Sequence, residues 1–318
     1  MQLLPQIWNR RSLRIVPLFF GGLWGLIVLA QPALRGQSAS VSTFSTGVNL
    51  VEVYATVTDR EGQPVTGLIA ADFRVIEDHV PQAITTFAAG EFPLSVTIAL
   101  DRSFSMAGER LALSKQAART FIAALRPTDE VMVLAIGSEI DTITPPVSAR
   151  NAGATRWESI DAWGTTPLYD ATAQALDAIQ TRSGRRALLL ISDGRDRDSR
   201  TTATDLIARA RQSNVLVYPV AIGGTRPPVF AELANVTGGR TFFIDDPKRL
   251  ESQLGTLARE LRFQYLLGYT PSPGASGAPG AAAALETTPS ADPGWRAIEV
   301  TVSRPDVRVR ARDGYFAH

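Results

Sequence analysis

The stretch Leu94-Ser-Val-Thr-Ile-Ala-Leu-Asp101-Arg-Ser103-Phe-Ser105 decides the fold, because an apolar run ends abruptly in a carboxylate and two hydroxyls. The mainly apolar residues 94–100 predict a buried strand. Asp101, Ser103 and Ser105 follow its carboxyl end at alternate positions and can converge on one cation. Carboxylate and hydroxyl oxygens are hard ligands, which suit Mg²⁺, Mn²⁺ or Ca²⁺ better than zinc or copper. The stretch therefore predicts an oxygen-ligated metal site.

Two later stretches place further oxygen ligands at comparable positions. Gly164-Thr-Thr166-Pro-Leu-Tyr-Asp170-Ala lies where a predicted helix begins, and Ser192-Asp193-Gly194 follows the apolar residues 187–191. In open α/β sheets, ligands bind beyond the carboxyl ends of the strands, where the strand order reverses. These side chains are therefore expected to lie near Asp101. Asp170 is expected to brace its loop instead of binding metal.

With these three elements in order, the chain resembles a von Willebrand factor A (VWA) domain over roughly residues 94–262. The family's metal-ion-dependent adhesion site (MIDAS) combines Asp-x-Ser-x-Ser with a Thr in a Gly-x-Thr-x-Leu-x-Asp-Ala turn and an Asp in a (Thr/Ser)-Asp-Gly turn. Every ligand position is filled here, so the resemblance implies a set of metal ligands: Asp101, Ser103, Ser105, Thr166 and Asp193. It also implies bound Mg²⁺, with Mn²⁺ or Ca²⁺ as alternatives, and a protein partner that presents an Asp or Glu to the metal.

Two residues within the metal loop depart from the family's pattern. The position of Phe104 is usually small in the family and that of Arg102 is usually uncharged, so a bulky ring and a cation lie within the loop. The loop 194–200 alternates Arg and Asp residues. One interpretation is a solvated loop; the other is a group of positive charges that attracts an acidic partner, formed by Arg102, Arg195 and Arg197.

Between residues 93 and 262, near-continuous apolar segments alternate with amphipathic ones. This alternation predicts an α/β fold with a doubly wound, mainly parallel sheet, and the resemblance implies the same Rossmann-like architecture. The predicted strands are residues 94–100, 130–136, 187–191, 215–221 and 240–244. The predicted helices are residues 110–125, 168–180, 202–212, 229–236 and 247–262.

The residues on either side of this segment have the period of antiparallel strands. Apolar and polar side chains alternate between turn residues in the flank 31–92, and further strand-like segments follow in the flank 263–318. Neither flank has enough strands to be stable alone, so we predict that the two pack together as one small all-β domain. The Pro-, Gly- and Ala-rich residues 270–294 predict a flexible loop. The flanks resemble those of a bacterial exported subfamily of VWA proteins.

Residues 1–30 have the features of an export signal. Arg10, Arg11 and Arg14 precede a largely apolar run, and Val28-Leu-Ala30 provides a small-residue cleavage site. Two outcomes stay open, a cleaved signal peptide that leaves a periplasmic or extracellular protein, and a retained membrane anchor. The sequence contains no cysteine, so no disulfide stabilises an exported product.

Composition and motifs argue against nucleic-acid binding and catalysis. The formal net charge is only +1, and the Arg residues are not interleaved with aromatic ones. The histidines are His79 and His318, both far in sequence from Ser103, and neither a cysteine nucleophile nor a nucleotide-binding Gly-rich loop occurs. A hydrolase built on metal-bound Asp101 would lack an evident general base. We therefore predict that the protein is not an enzyme.

Together these features predict an exported, adhesion-type protein-binding module of the cell envelope, whose bound cation coordinates an acidic residue of a partner. Two alternatives stay open. One is a structural or scaffolding envelope protein in which the metal only stabilises the loops. The other is a metal-dependent hydrolase.

Overall fold

Strands and helices alternate through the middle of the chain, and strands alone flank them. The structure, a computed structural model, describes residues 50–271 and 294–317. The predicted signal or anchor at residues 1–30, residues 31–49 of the first flank and most of the loop 270–294 lie outside the described residues. The strands are β1 (Val51–Thr58), β2 (Phe73–Glu77), β3 (Val80–Gln82), β4 (Ile84–Gly90), β5 (Leu94–Asp101), β6 (Glu130–Ile136), β7 (Ile140–Ser148), β8 (Arg185–Ser192), β9 (Leu216–Ile222), β10 (Phe242–Ile244), β11 (Gln264–Tyr269), β12 (Trp295–Val302), β13 (Arg308–Arg310) and β14 (Gly314–Phe316). The helices are α1 (Glu109–Ala124), α2 (Leu168–Gln180), α3 (Ala203–Gln212), α4 (Pro228–Thr237) and α5 (Leu250–Arg262).

The central sheet has the strand order β10-β9-β8-β5-β6-β7. Its strands are parallel except for β7, which pairs antiparallel with β6. Every residue of β5 is buried, as expected for a strand covered on both faces. The chain leaves β5 toward β6 and later returns on the other side to β8, so the strand order reverses between β5 and β8. This reversal is where α/β sheets bind ligands.

Helices cover both faces of this sheet because its strand residues alternate in direction. Leu189 and Ile191 pack in one core with α1 and α5, whereas Leu188 and Leu190 pack in a second core with α2, α3 and α4. The predicted α/β class with a doubly wound, mainly parallel sheet is therefore confirmed. Strand β7 was not predicted, because its residues include Pro145 and Pro146 and only one of its positions is buried. Pro is tolerated on an edge strand, where no neighbour needs its missing N–H.

The flanks form two antiparallel four-stranded sheets, β13-β1-β11-β4 and β14-β12-β2-β3. Each sheet combines strands from before and after the α/β segment. In the first sheet, β11 lies between β1 and β4, with Val51 opposite Tyr269 and Gly90 opposite Gln264. One hydrophobic core joins the two sheets, and its buried members include Val53, Val75, Tyr265, Leu267 and Ile298. The predicted all-β part built from both flanks is thus present, while the boundaries at residues 92/93 and 262/263 stay predictions.

No helix within residues 50–271 and 294–317 has both the length and the apolar character that a membrane span requires.

Candidate metal centre

Asp101, the last residue of β5, is fully buried at the reversal of strand order. The Ser192 hydroxyl at the end of β8 donates a hydrogen bond to Asp101 Oδ2 at 2.6 Å. The backbone N–H of Ser103 donates to Asp101 Oδ1 at 2.8 Å, and the Thr166 hydroxyl lies 3.4 Å from the same oxygen. These contacts fix the orientation of the carboxylate, and they bring Thr166 to it as the sequence predicted.

Ser103 and Ser105 lie in the turn that follows β5. Ser103 is buried, Ser105 is exposed, and their hydroxyl oxygens are 3.1 Å apart. Met106 is fully buried beneath this turn and anchors it to the core. The two hydroxyls therefore converge, and Ser105 lies on the solvent side of the group.

The loop that carries Thr166 needs a glycine two residues earlier. Gly164 has φ +77°, and a Cβ added there would lie 2.3 Å from the hydroxyl oxygen of Ser138. Glycine tolerates this backbone conformation, which other residues rarely adopt. The Thr166 carbonyl accepts a hydrogen bond of 2.8 Å from the Arg197 N–H, so this loop and the loop after β8 hold each other in place.

Asp193 follows β8 directly and is 2% exposed. Its Oδ1 accepts a hydrogen bond of 3.2 Å from the backbone N–H of Arg195. Its Oδ2 is buried and has no hydrogen-bond partner among the described residues; the nearest cationic atom is Arg195 Nε at 3.7 Å. Gly194 has φ +76° and lies so close to Pro227 that an added Cβ would be 2.1 Å from its ring. The turn thus holds a buried carboxylate with one unsatisfied oxygen.

Burial is the main cause that raises the pKa of Asp101 above its usual range. The negative charge of Asp193 also raises it, whereas the hydrogen bonds from Ser192 and Ser103 lower it. The negative charge of Asp193 next to the buried carboxylate of Asp101 is an arrangement that a divalent cation would neutralise. The donor set of two carboxylates and three hydroxyls also has the oxygen chemistry of Mg²⁺, Mn²⁺ and Ca²⁺. The residues present therefore fit a metal of this class.

The described residues contain no group of three or more His, Cys, Asp or Glu side chains that could hold a metal ion. The candidate set does not depend on such a group, because three of its five proposed ligands are hydroxyls. A centre rich in His or Cys is not part of the described structure.

Asp170 holds the loop after β8 against the start of α2. Its carboxylate accepts hydrogen bonds from the backbone N–H groups of Arg200 at 3.0 Å and Thr201 at 2.8 Å. Asp196 accepts in return from the Tyr169 N–H at 3.0 Å. Asp170 thus braces its loop as expected, and residues 196–201 are more than a freely solvated segment.

Arg102, one of the positive charges that could attract an acidic partner, is largely buried. Its guanidinium forms an ion pair with Asp141 of β7 and lies over the Trp163 ring at 5.3 Å, which leaves its side chain 11% exposed. Phe104, in contrast, is 67% exposed, and Trp163 is 43% exposed. Backbone hydrogen bonds from Trp163 to Arg102 at 2.7 Å and from Phe104 to Gly164 at 3.2 Å join the two segments. Two exposed aromatic side chains therefore lie beside the candidate ligands.

Residues 96–195 match the family model of the von Willebrand factor type A domain. The chain contains a VWA domain. The matched range includes all the candidate ligands: Asp101, Ser103, Ser105, Thr166 and Asp193. No curated protein shows a significant match to the sequence.

Several solved structures are similar to part of the chain. A von Willebrand factor type A protein from Catenulispora acidiphila is 18% identical, with a TM-score of 0.48, 69% of this chain covered and 52% of that one. The chain thus spans about half the length of that protein. BatB from Bacteroides thetaiotaomicron is 20% identical, with a TM-score of 0.43, 52% of this chain covered and 98% of that one. An aerotolerance-related membrane protein from Bacteroides fragilis is 21% identical, with a TM-score of 0.43, 53% of this chain covered and 98% of that one.

Ser192 belongs to the candidate site but was not predicted from the sequence. It donates to Asp101 Oδ2 and accepts from the Gly194 N–H at 2.9 Å. Its position directly before Asp193 was the available signal, since a hydroxyl at the end of β8 lies next to the end of β5 in a parallel sheet. The exposed Trp163 gave no comparable signal.

Proposed function

We propose that the VWA domain is an exported, metal-dependent protein-binding module that recognises an acidic residue of its partner. The family match itself indicates an interaction module. The residues that would hold the cation, Mg²⁺ or alternatively Mn²⁺ or Ca²⁺, are Asp101, Ser103, Ser105, Thr166 and Asp193. When bound, the cation supplies a positive, Lewis-acidic centre to which a carboxylate of the partner coordinates.

One observation carries the metal proposal. Asp193 Oδ2 is buried without a hydrogen-bond partner in the described part of the chain, beside a second buried carboxylate, Asp101. A buried carboxylate oxygen without a hydrogen bond is costly, because its hydration is lost and only the exposed Arg195 guanidinium, 3.7 Å away, compensates for it. A cation at this position would offset the cost of burying Asp193 Oδ2. It would also remove the repulsion between the carboxylates of Asp101 and Asp193.

The surroundings of the ligands support a protein partner. Mg²⁺ takes about six oxygen ligands, so five protein oxygens leave room for one from another molecule. Ser105 is exposed, which places one side of the group against solvent. Phe104 and Trp163 provide exposed apolar area there, and the exposed Arg195 attracts negative charge. An Asp or Glu flanked by apolar side chains fits this face.

The alternatives differ in what the metal does. In a scaffold protein, the metal would only stabilise the loops, and partner binding would not respond to its removal. In a metal-dependent hydrolase, a general base would lie near the metal; the one histidine of the described residues, His79, lies in the turn between β2 and β3, in the all-β part. We therefore propose no enzymatic activity. The proposal of export, with cleavage or membrane anchoring, rests on the sequence of residues 1–30.

Calorimetric titration of the purified protein with Mg²⁺ and Mn²⁺ tests the metal site. The wild type is expected to bind one cation, and Asp101→Asn is expected to abolish binding while leaving the circular dichroism spectrum unchanged. Glu139→Gln, which removes an exposed carboxylate nearby, is the matched control and should bind as the wild type does. Wild-type affinity in Asp101→Asn would refute the ligand assignment.

Selection of a displayed peptide library in Mg²⁺ tests the partner class. Enriched peptides should contain an Asp or Glu, should be released by EDTA, and should lose binding when that residue becomes Asn or Gln. Peptides that bind equally well in EDTA would favour the scaffold interpretation. A protein that binds Mg²⁺ and enriches only peptides without acidic residues would contradict the proposed recognition alone and leave the metal site intact.

A further inference from the structure

A small cavity lies at the end of the VWA sheet opposite the candidate metal centre. It has a volume of about 30 Å³ and opens between the first residues of β8 and β9, the ends of α3 and α4, and Tyr54 of β1. Because β8 runs from Arg185 to Ser192, a span of about 23 Å separates this end from the metal centre. Four arginines line the cavity: Arg185, Arg186, Arg211 and Arg312.

Arg185 is the most deeply buried of the four, at 2% exposure. One terminal nitrogen of its guanidinium donates to the Leu261 carbonyl, while its Nε and Nη1 are buried without a hydrogen-bond partner. Burial lowers the pKa of Arg185 to about 10, which still leaves the guanidinium charged at neutral pH. A buried cation with two unpaired nitrogen donors is costly unless an anion accompanies it.

Arg186 and Arg312 have neutral partners as well. Arg186 donates to the Gln180 carbonyl at 3.0 Å, and Arg312 donates to the Glu52 carbonyl at 3.0 Å and to Asn214 Oδ1 at 3.3 Å. The described residues provide no carboxylate within ion-pair distance of Arg185, Arg186 or Arg312. None of these three positive charges is therefore ion-paired with a carboxylate of the described residues.

Arg211, unlike the other three arginines, has a carboxylate partner among the described residues. Arg211 forms an ion pair with Asp313 at 3.1 Å and lies over the Trp295 ring at 5.2 Å. Its Nε, like those of Arg185, Arg186 and Arg312, is buried without a partner in the described structure. All four guanidiniums of the cavity thus have at least one free N–H donor.

We propose that this cavity binds a small oxyanion of the phosphate type, either free or at the end of a larger molecule. Guanidinium groups offer pairs of N–H donors that match the oxygens of phosphate and carboxylate groups. The cavity volume of about 30 Å³ exceeds the roughly 10–15 Å³ that one water needs, and the guanidiniums around it favour a small oxyanion over a neutral ligand. The proposal does not depend on the proposed metal function.

The lining residues come from both parts of the molecule. Arg185 and Arg186 belong to β8 of the VWA domain, whereas Tyr54 belongs to β1 and Arg312 follows β13 in the all-β part. An anion held between them removes the repulsion between Arg186 and Arg312 and joins the two parts. Binding is therefore expected to stabilise the whole chain against unfolding.

Calorimetric titration of the full chain with inorganic phosphate, in EDTA and at constant ionic strength, tests the site. The wild type is expected to bind phosphate or sulfate saturably, and chloride at the same ionic strength should not substitute. Arg312→Gln and Arg186→Gln are expected to weaken binding at least about tenfold, because each removes a charged donor. Arg185→Met should weaken it further; if that variant does not fold, the other two still decide the result.

Arg150→Gln is the matched control, because it removes one exposed positive charge outside the cavity. It should bind phosphate as tightly as the wild type. The proposal would be overturned if Arg150→Gln and Arg312→Gln lost phosphate affinity equally. It would also be overturned if the wild type bound neither phosphate nor sulfate saturably and did not bind the vesicles described next.

The source of the oxyanion is decided by adding vesicles. Phosphate binding by protein that does not bind phosphatidylglycerol vesicles assigns a soluble oxyanion. Binding of the wild type but not of Arg312→Gln to phosphatidylglycerol vesicles, with phosphatidylcholine vesicles inactive, assigns a lipid headgroup. If the wild type and Arg312→Gln bound the vesicles equally and neither bound phosphate, the proposed site would be refuted.

Discussion

Ser192 and Asp101 join the ends of two neighbouring parallel strands through a hydrogen bond of 2.6 Å. Asp101 is the last residue of β5, Ser192 is the last residue of β8, and the strand order reverses between these two strands. The same hydroxyl accepts from the Gly194 N–H and so fixes the turn that carries Asp193. One side chain that is not a proposed ligand therefore positions both carboxylates.

Ser192→Ala is expected to weaken Mg²⁺ binding about tenfold, the usual effect of removing a group that orients a metal ligand. Calorimetric titration measures the change. Ser252→Ala is the control, because the Ser252 hydroxyl bonds only to a carbonyl of its own helix region and is exposed. Unchanged Mg²⁺ affinity in Ser192→Ala would show that Asp101 does not act as a ligand in this orientation.

Phe104→Ala is expected to weaken binding of selected acidic peptides about five- to tenfold, since an aromatic residue that becomes buried at the centre of an interface contributes about 1 kcal/mol or more. Its Mg²⁺ affinity should equal that of the wild type, because the proposed ligand atoms are untouched. Ile69→Ala, which removes a side chain of similar exposure (61%) in the all-β part, is the control. If Phe104→Ala and the wild type bound the peptides equally well, Phe104 would not be part of the interface.

Arg310→Met is expected to lower the free energy of unfolding by about 3 kcal/mol, because it leaves a buried charge without its nearer partner. Glu260 of α5 is fully buried and lies 2.6 Å from Arg310 and 3.5 Å from Arg240. Urea unfolding measures the change. The double variant Glu260→Gln, Arg310→Met should recover part of the loss; a double variant as unstable as the sum of the single ones would show that the pair is not coupled.

Asp170→Asn is expected to lower stability at neutral pH by about 1 kcal/mol or less, given that this carboxylate is well solvated. The hydrogen bonds from Thr201 and then Arg200 lower the pKa of Asp170 below its usual value. A lowered pKa contributes stability above the unfolded-state pKa of about 3.9, and that stability is lost as the pH falls further. The difference between wild type and variant in thermal unfolding should therefore be present at pH 7 and shrink below about pH 4. If the stability difference between the wild type and Asp170→Asn did not depend on pH, it would result from a change in packing and not from the lost charge.

Much of the VWA domain was predictable because its signals are local. The apolar residues of β5 end directly at Asp101, and the turn that carries Ser103 and Ser105 follows within the same short stretch. The strand β7 was missed since its alternating, Pro-containing residues are held by pairing with β6, which local pattern does not reveal. The ion pair between Arg102 and Asp141 of β7 was missed for the same reason.

The arginine cavity illustrates a second limit of sequence reasoning. Its charged residues lie near positions 185, 211 and 312, and only the pairing of the flanks with the α/β part brings them together. In the sequence they are part of a high overall arginine content and form no motif. Long-range packing, which determines the charges that share a buried space, was the missing information.

The position of β11 between β1 and β4 has a consequence for the order of folding. The pairing of Val51 with Tyr269 and of Gly90 with Gln264 closes loops that contain the whole VWA domain. Contacts so distant in sequence cost loop-closure entropy and form slowly unless the intervening chain is already compact. During synthesis, β1 and β4 emerge long before β11. Until β11 pairs with them, their edges are unpaired, which favours aggregation. The VWA domain is therefore expected to fold first, which brings its two ends close together. The strands of the all-β part then pair with one another across these ends.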